Sequence, residues 1–171
     1  MEPVALKTIE AAGESSKTTH GVITCIDACR YYSGLIYGAL HGTPKYILLS
    51  EGYAPGAVSW KDDPLCPEIE NIANGSFRKK EPPAIRGTGY VVDSMEAALW
   101  AFERSDDFKT GCLMAANLGD DADTTAAIYG QLAGAYYGHK AIPSEWSNKI
   151  KYRDHILYMA NRLASKRKHQ K

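Results

Sequence analysis

Residues 117–138 read NLGDDADTTAAIYGQLAGAYYG. Asp120, Asp121 and Asp123, followed by Thr124 and Thr125, lead into a run of small residues marked by Ala126, Gly130, Gly134 and Gly138. A step of four keeps those small residues on one face of a helix. An interior glycine costs about 1 kcal/mol against alanine, so a stripe of them makes sense where another backbone comes close. Gly34, Gly38 and Gly42 repeat the step along 21–41 and the residue just after it. The spacing therefore predicts two central, buried helices, with acidic residues at the mouth of one.

Outward from this segment, helical periodicity dominates. Helices are expected over 2–12, 21–41 (entered through Thr18-Thr19-His20) and 44–51. Residues 52–92 are rich in glycine and proline, with a small helix at 65–73; a loop of this length is a binding element or disordered. Asp93 reads as an N-cap, with Glu96 three residues on to complete a capping box. Met95, Ala98, Leu99 and Phe102 then supply the inward face. Ser105 reads as the cap of the next helix, with Phe108, Cys112 and Ala115 or Ala116 turned inward. Helices over 122–137, 143–150 and 153–165 follow, with Pro143 where a first-turn proline is tolerated. Convincing alternating strands are lacking. The expected fold class is all-α, as one domain over 1–165 with a basic, disordered tail at 166–171.

The chain has 171 residues, enough to bury about 70% of its unfolded surface. Charged residues are 23% with a formal net charge of zero, so no charge excess points to nucleic acid or an anionic membrane surface. No apolar run reaches spanning length. Cys25, Cys29, Cys66 and Cys112 form no C-x-x-C pair, and read as reduced residues of a cytoplasmic protein.

Asp121-Ala122-Asp123-Thr124 is a D-x-D-T at a helix start. Two carboxylates and a hydroxyl are hard oxygen donors, suited to Mg²⁺, Mn²⁺ or Ca²⁺ and poorly to zinc. An acidic N-terminus answering the helix dipole is the plainer alternative. An EF-hand is excluded, because its sixth and twelfth positions would be Ala126 and Leu132. Asp27, on a helix expected to be buried, reads as a paired core carboxylate. His41, His139 and His155 have no ligand or triad spacing.

The stretch GDDADTTAAIYGQLAG resembles the C-terminal metal motif of the ADP-ribosylglycohydrolase family. Thr18-Thr19-His20 before a long helix is similar to that family's T-H segment. Gly87-Thr88-Gly89-Tyr90-Val91-Val92-Asp93 with the helix after it is similar to its glycine-tyrosine loop. The resemblance implies an orthogonal bundle of α-helices with a two-magnesium centre in a cleft, Mn²⁺ being possible. It implies cleavage of the glycosidic bond between ADP-ribose and a protein side chain. Asp121, Asp123 and Thr124 would be metal ligands, and Asp120 and Ala122 spacers. Thr19 and His20 would contact ADP-ribose; so would Gly87, Thr88, Gly89 and Tyr90, with the tyrosine stacking on adenine or ribose.

The family also carries a T-D-D-T run in an N-terminal half, and none is present here. The chain matches the C-terminal half only, so no catalytic acid or base is assigned within it. The leading expectation is a hydrolase acting on ADP-ribose or an ADP-ribosylated protein once an N-terminal-half partner chain, or a homodimer, completes it. The alternative is a non-catalytic ADP-ribose-binding or crystallin-like structural protein. A truncated product with an exposed apolar face is a third. Neither nucleic acid nor membrane is an expected partner.

Overall fold

The computed structural model describes residues 4–166. Among them every regular element is helical, as the sequence predicts: α1 (Val4–Ser16), α2 (Ile23–Leu40), α3 (Lys45–Leu48), α4 (Pro67–Ala73), α5 (Val91–Glu103), α6 (Phe108–Ala116), α7 (Ala122–Tyr137), α8 (Ser144–Ser147) and α9 (Arg153–Lys166), with 3₁₀ turns at Ser76–Lys79 and His139–Ala141. The chain divides into two compact units, 1–141 and 142–171, where the sequence suggests no boundary at 141. The expected tail at 166–171 lies outside the described residues but for the backbone of Lys166, which closes α9.

In the first unit α1 packs along α2, and α5 lies against α2, α6 and α7. The most enclosed helix is α5, more so than either glycine-marked helix, although α2 touches α1, α3, α4, α5 and α7. Every residue from Ser94 to Phe102 is buried, on all sides of the helix. A helix enclosed all round belongs in the middle of a core. Phe102 is fully enclosed and meets Tyr129, Tyr136 and Tyr137 edge-on, with ring centroids 5.5–6.4 Å apart. The one charged side chain on this stretch, Glu96, accepts from Ser76 Oγ and from Lys80 Nζ at 2.7 Å.

The glycine ladders do not receive helix backbones. Side chains close on α2: a methyl added at Gly38 would lie 2.7 Å from Leu48 Cδ2, and one at Gly34 would lie 3.3 Å from Pro55 Cδ. On α7 a methyl at Gly130 would only graze Phe108 at 4.0 Å, and one at Gly134 would meet nothing within 4 Å. Small residues permit close approach; they do not compel it.

Capping also differs from expectation. α5 begins three residues early, at Val91, with Tyr90 and not Asp93 as N-cap, so Asp93 and Glu96 make no capping box. Ser105 closes α5 instead of opening α6, donating from Oγ to the Ala101 carbonyl at 2.8 Å. Asp107 caps α6, accepting from Thr110 N at 2.8 Å and Thr110 Oγ1 at 2.7 Å. These two bonds hold the Asp107 carboxyl below its usual value of 3.8. A depressed carboxylate stabilises the fold above its unfolded pKa and loses that contribution as pH falls through the folded one. Asp107→Ala is thus expected to lower the melting temperature at pH 7, and the gap to wild type should close in acid below pH 3.8. Thermal melts across that range check it.

Segment 52–92 is a packed loop, not a disordered one. Ile69, Ile72, Ala73, Phe77 and Ile85 are buried, and Trp60 Nε1 donates to the Tyr53 carbonyl at 2.9 Å. Asp27 is the paired core carboxylate expected: only 1% exposed, it accepts from Arg30 Nη1 and from Cys66 N, both at 2.7 Å. The four cysteines are free and partly buried, and burial raises the Cys66 and Cys112 thiols. Among the described residues no helix is long and apolar enough to cross a membrane.

Candidate active-site corner

After α6 the chain must reverse within a few residues to start α7. It does so through two successive left-handed residues, Gly119 at φ 77° and Asp120 at φ 54°. Glycine takes that region freely, and aspartate is among the few other residues that tolerate it. Asp121 follows as the N-cap of α7, but its side chain caps nothing. The first turn is held another way: Thr125 donates to the Asp121 carbonyl from both N and Oγ1, each at 3.0 Å. The Asp121 carboxylate is left unspent by its own helix, where the dipole favours negative charge.

That carboxylate faces the glycine loop. Asp121 N donates to the Gly87 carbonyl at 2.7 Å, and a Cβ added at Gly89 would lie 3.6 Å from Asp121 Oδ2. Gly87 is buried against Thr125, whose Cβ would sit 3.1 Å from an added methyl. Neither Gly87 nor Gly89 is left-handed, so Gly87 answers a close approach, made by Thr125. Thr88 Oγ1 fixes the loop's other end: it donates to Asp93 Oδ2 at 3.0 Å and accepts from Tyr90 N at 3.1 Å. Arg86 Nη2 reaches the same Asp93 oxygen at 3.6 Å. Tyr90 is half exposed, its ring open to a ligand.

Two motifs distant in sequence thus meet at one corner. Asp121 lies against the loop, and Asp123 and Thr124 stand exposed on the first turn beside it. Among the described residues no group of three or more His, Cys, Asp or Glu side chains forms a metal cage. A cation here would rest on two carboxylates and hydroxyl oxygen, a donor set for a hard ion that keeps much of its water.

The T-H segment is placed differently from expectation. Thr18, Thr19 and His20 do not present free N–H groups at the head of α2, which starts at Ile23 with Val22 as N-cap. Their amides donate back to Ser15 and Ser16 carbonyls and finish α1. Thr19 and His20 are exposed at that turn, and among the described residues no hydrogen bond or ion pair joins them to loop 87–90 or to the head of α7. Two roles are not predicted by the sequence: Thr125 seats Gly87, and Asp93, expected as an N-cap, anchors Thr88. The second threonine of the T-T pair was the only signal for the first; Asp93 was hidden by its resemblance to an N-cap.

Gly87→Val should be informative, because a branched side chain cannot fit against Thr125 without moving the loop off α7. The expected cost is about 1–3 kcal/mol, the usual range for overpacking. Chemical denaturation checks it; an unchanged midpoint would mean that the loop yields freely.

An acidic helix head is thus clamped to a glycine-tyrosine loop on an all-helical body. The chain belongs to the ADP-ribosylglycohydrolase family, whose model matches residues 2–171. It is 39% identical over 148 residues to the ADP-ribosylarginine hydrolase Tri1 of Pseudomonas putida (strain GB-1), covering 86% of this chain and 38% of that protein. The Tri1 of Serratia proteamaculans (strain 568) is 32% identical over 157 residues, covering 92% and 40%. The ADP-ribosyl-[dinitrogen reductase] glycohydrolase of Rhodospirillum rubrum is 43% identical over 70 residues, 41% of this chain and 24% of that protein. A solved ADP-ribosylglycohydrolase-related protein complex superposes with a TM-score of 0.75 at 39% identity, over 86% of this chain and 49% of that one. The chain thus spans less than half the length of the relatives it matches.

Proposed function

We propose that this chain supplies one wall of the ADP-ribose site of a hydrolase that cleaves the glycosidic bond between ADP-ribose and a protein side chain, arginine being the favoured linkage. The contact between loop 87–90 and the Asp121 corner carries this reading, and the similarity to two ADP-ribosylarginine hydrolases over most of the chain supports the linkage. Asp121, Asp123 and Thr124 would hold Mg²⁺, or Mn²⁺ in its place. A divalent ion there would polarise oxygen and make water a better nucleophile. The remaining roles belong to the chain itself. Loop 87–90, pinned at Asp121 and Asp93, offers backbone to the sugar and phosphates, and the Thr88 oxygen can accept from a sugar hydroxyl. The exposed Tyr90 ring gives a flat apolar face for adenine or ribose. Thr19 and His20 would reach the ligand only if the α1–α2 turn closes on it.

Three oxygen donors cover half of the octahedral shell that Mg²⁺ demands. The others would come from water, or from the part of the family fold that the longer relatives carry beyond this match. The same count favours a second reading, in which the 171 residues bind ADP-ribose without turnover.

Calorimetry of ADP-ribose binding, with Mg²⁺ and with a chelator, tests both. Cation-dependent binding is expected, and hydrolysis of an ADP-ribosylarginine peptide separates enzyme from binder. ADP-ribose affinity that ignores the cation would remove the metal from the site.

A further inference from the structure

A cavity of about 570 Å³ opens beside this corner, and no role assigned so far uses it. Pro82, Pro83, Ile85 and Leu118 give it apolar walls; Asn117 and Asp120 add an amide and a carboxylate. Its place follows from the chain. Arg86, also in its lining, immediately precedes Gly87, and Asp120 immediately precedes Asp121; Gly87 and Asp121 are the pair joined by the 2.7 Å backbone bond. Whatever occupied the cavity would lie next to the proposed sugar site.

We infer that this cavity is the subsite for the leaving side of the substrate, and that Asp120 there selects an alkyl-guanidinium. The inference rests on the function proposed above and deepens it. Apolar walls suit a chain of methylenes, and a carboxylate suits a planar guanidinium, which it can meet with two parallel bonds. The competing charge is accounted for: the Arg86 guanidinium is drawn towards Asp93 at 3.6 Å. Asp120 is exposed and makes no ion pair or side-chain hydrogen bond among the described residues. It also stands at φ 54°, where glycine would be the less strained choice. The backbone therefore tolerates aspartate without requiring it, and leaves its carboxylate free to meet a ligand.

The test uses the full chain with Mg²⁺, saturated with ADP-ribose, and two probes of nearly equal shape. One is acetyl-arginine amide; the other is acetyl-citrulline amide, which lacks the charge. Amide NMR is expected to shift at 84–86 and 117–120, with arginine bound about tenfold tighter than citrulline, the order a charged hydrogen bond supplies. Asp120→Gly should erase that preference and Asp120→Lys reverse it, while neither changes ADP-ribose affinity. Glycine suits the left-handed position, so the first variant should melt no lower than wild type. Equal binding of the two probes, or a preference that survives Asp120→Gly, overturns the inference and leaves the proposed function standing. Should ADP-ribose fail to bind, that function falls; the probes are then applied to the free chain, where the same arginine preference is still required.

Discussion

Asp121→Ala is expected to weaken cation-dependent ADP-ribose binding by more than about 100-fold while leaving the fold intact. The separation follows from how the corner is built. Both backbone bonds of Asp121, its N–H to Gly87 and its carbonyl to Thr125, survive the substitution, and its side chain caps nothing. The usual cost of losing an N-cap, about 1 kcal/mol, should therefore be absent here. The binding loss should be large because even the outer partners of metal ligands are worth about 10–100-fold, and a direct ligand should exceed that. Calorimetry with Mg²⁺ and a thermal melt of the same sample read the two quantities together. A variant that binds as well as wild type, or that melts much lower, would place the Asp121 carboxylate outside the site or inside the structural framework.

Asp27→Ala should do the opposite: a large loss of stability with no direct effect on the corner. Its carboxylate is buried and bonds both Arg30 and the Cys66 amide, tying α2 to the start of α4. Removing one partner of a buried pair leaves the other charge uncompensated, at about 3–5 kcal/mol. Arg30 keeps a second acid, Asp63, and a bond to the Asp63 carbonyl at 3.1 Å. Asp63 is largely exposed, so its pairing is screened and softens the loss only in part. The lower end, about 3 kcal/mol, is the expected value. Against a typical total of about 5–15 kcal/mol, urea denaturation would show the midpoint falling sharply. A shift below about 1 kcal/mol would mean that Arg30 and Cys66 find other partners.

Much of the fold could be read from periodicity. The helical class, the extents of α2 and α7 and the paired state of Asp27 all follow from residue spacing. What escaped was the choice among equivalent local signals. Ser105 and Asp107 are both good caps, and only the packing of α5 against α6 decides between them. Thr18 and Thr19 can open a helix or end one, and the four-residue backbone pattern into α1 wins. The glycine stripe on α7 was read as a buried seam, yet Gly134 meets nothing, because absence of a side chain does not fix what lies opposite.

The candidate site was legible in a different sense. D-x-D-T and G-T-G-Y are informative through residue type, since hard oxygen donors suit a cation and small loop residues permit close approach, although a helix dipole and an ordinary turn favour the same residues. Their meeting at Gly87 and Asp121 is a tertiary fact that no local pattern contains. Thr125 shows the limit most clearly: its hydroxyl serves the helix, its methyl and Cβ shape the loop, and nothing in the sequence separates it from Thr124.

The most direct measurement is amide NMR of the full chain during titration with Mn²⁺, whose unpaired electrons broaden nearby signals. A cation held by residues 121, 123 and 124 predicts that amides at 87–90 and 120–125 broaden first and together, recover with chelator, and stay sharp in Asp121→Ala. Broadening centred elsewhere, or equal broadening in wild type and variant, would contradict a shared cation and ADP-ribose site at this corner.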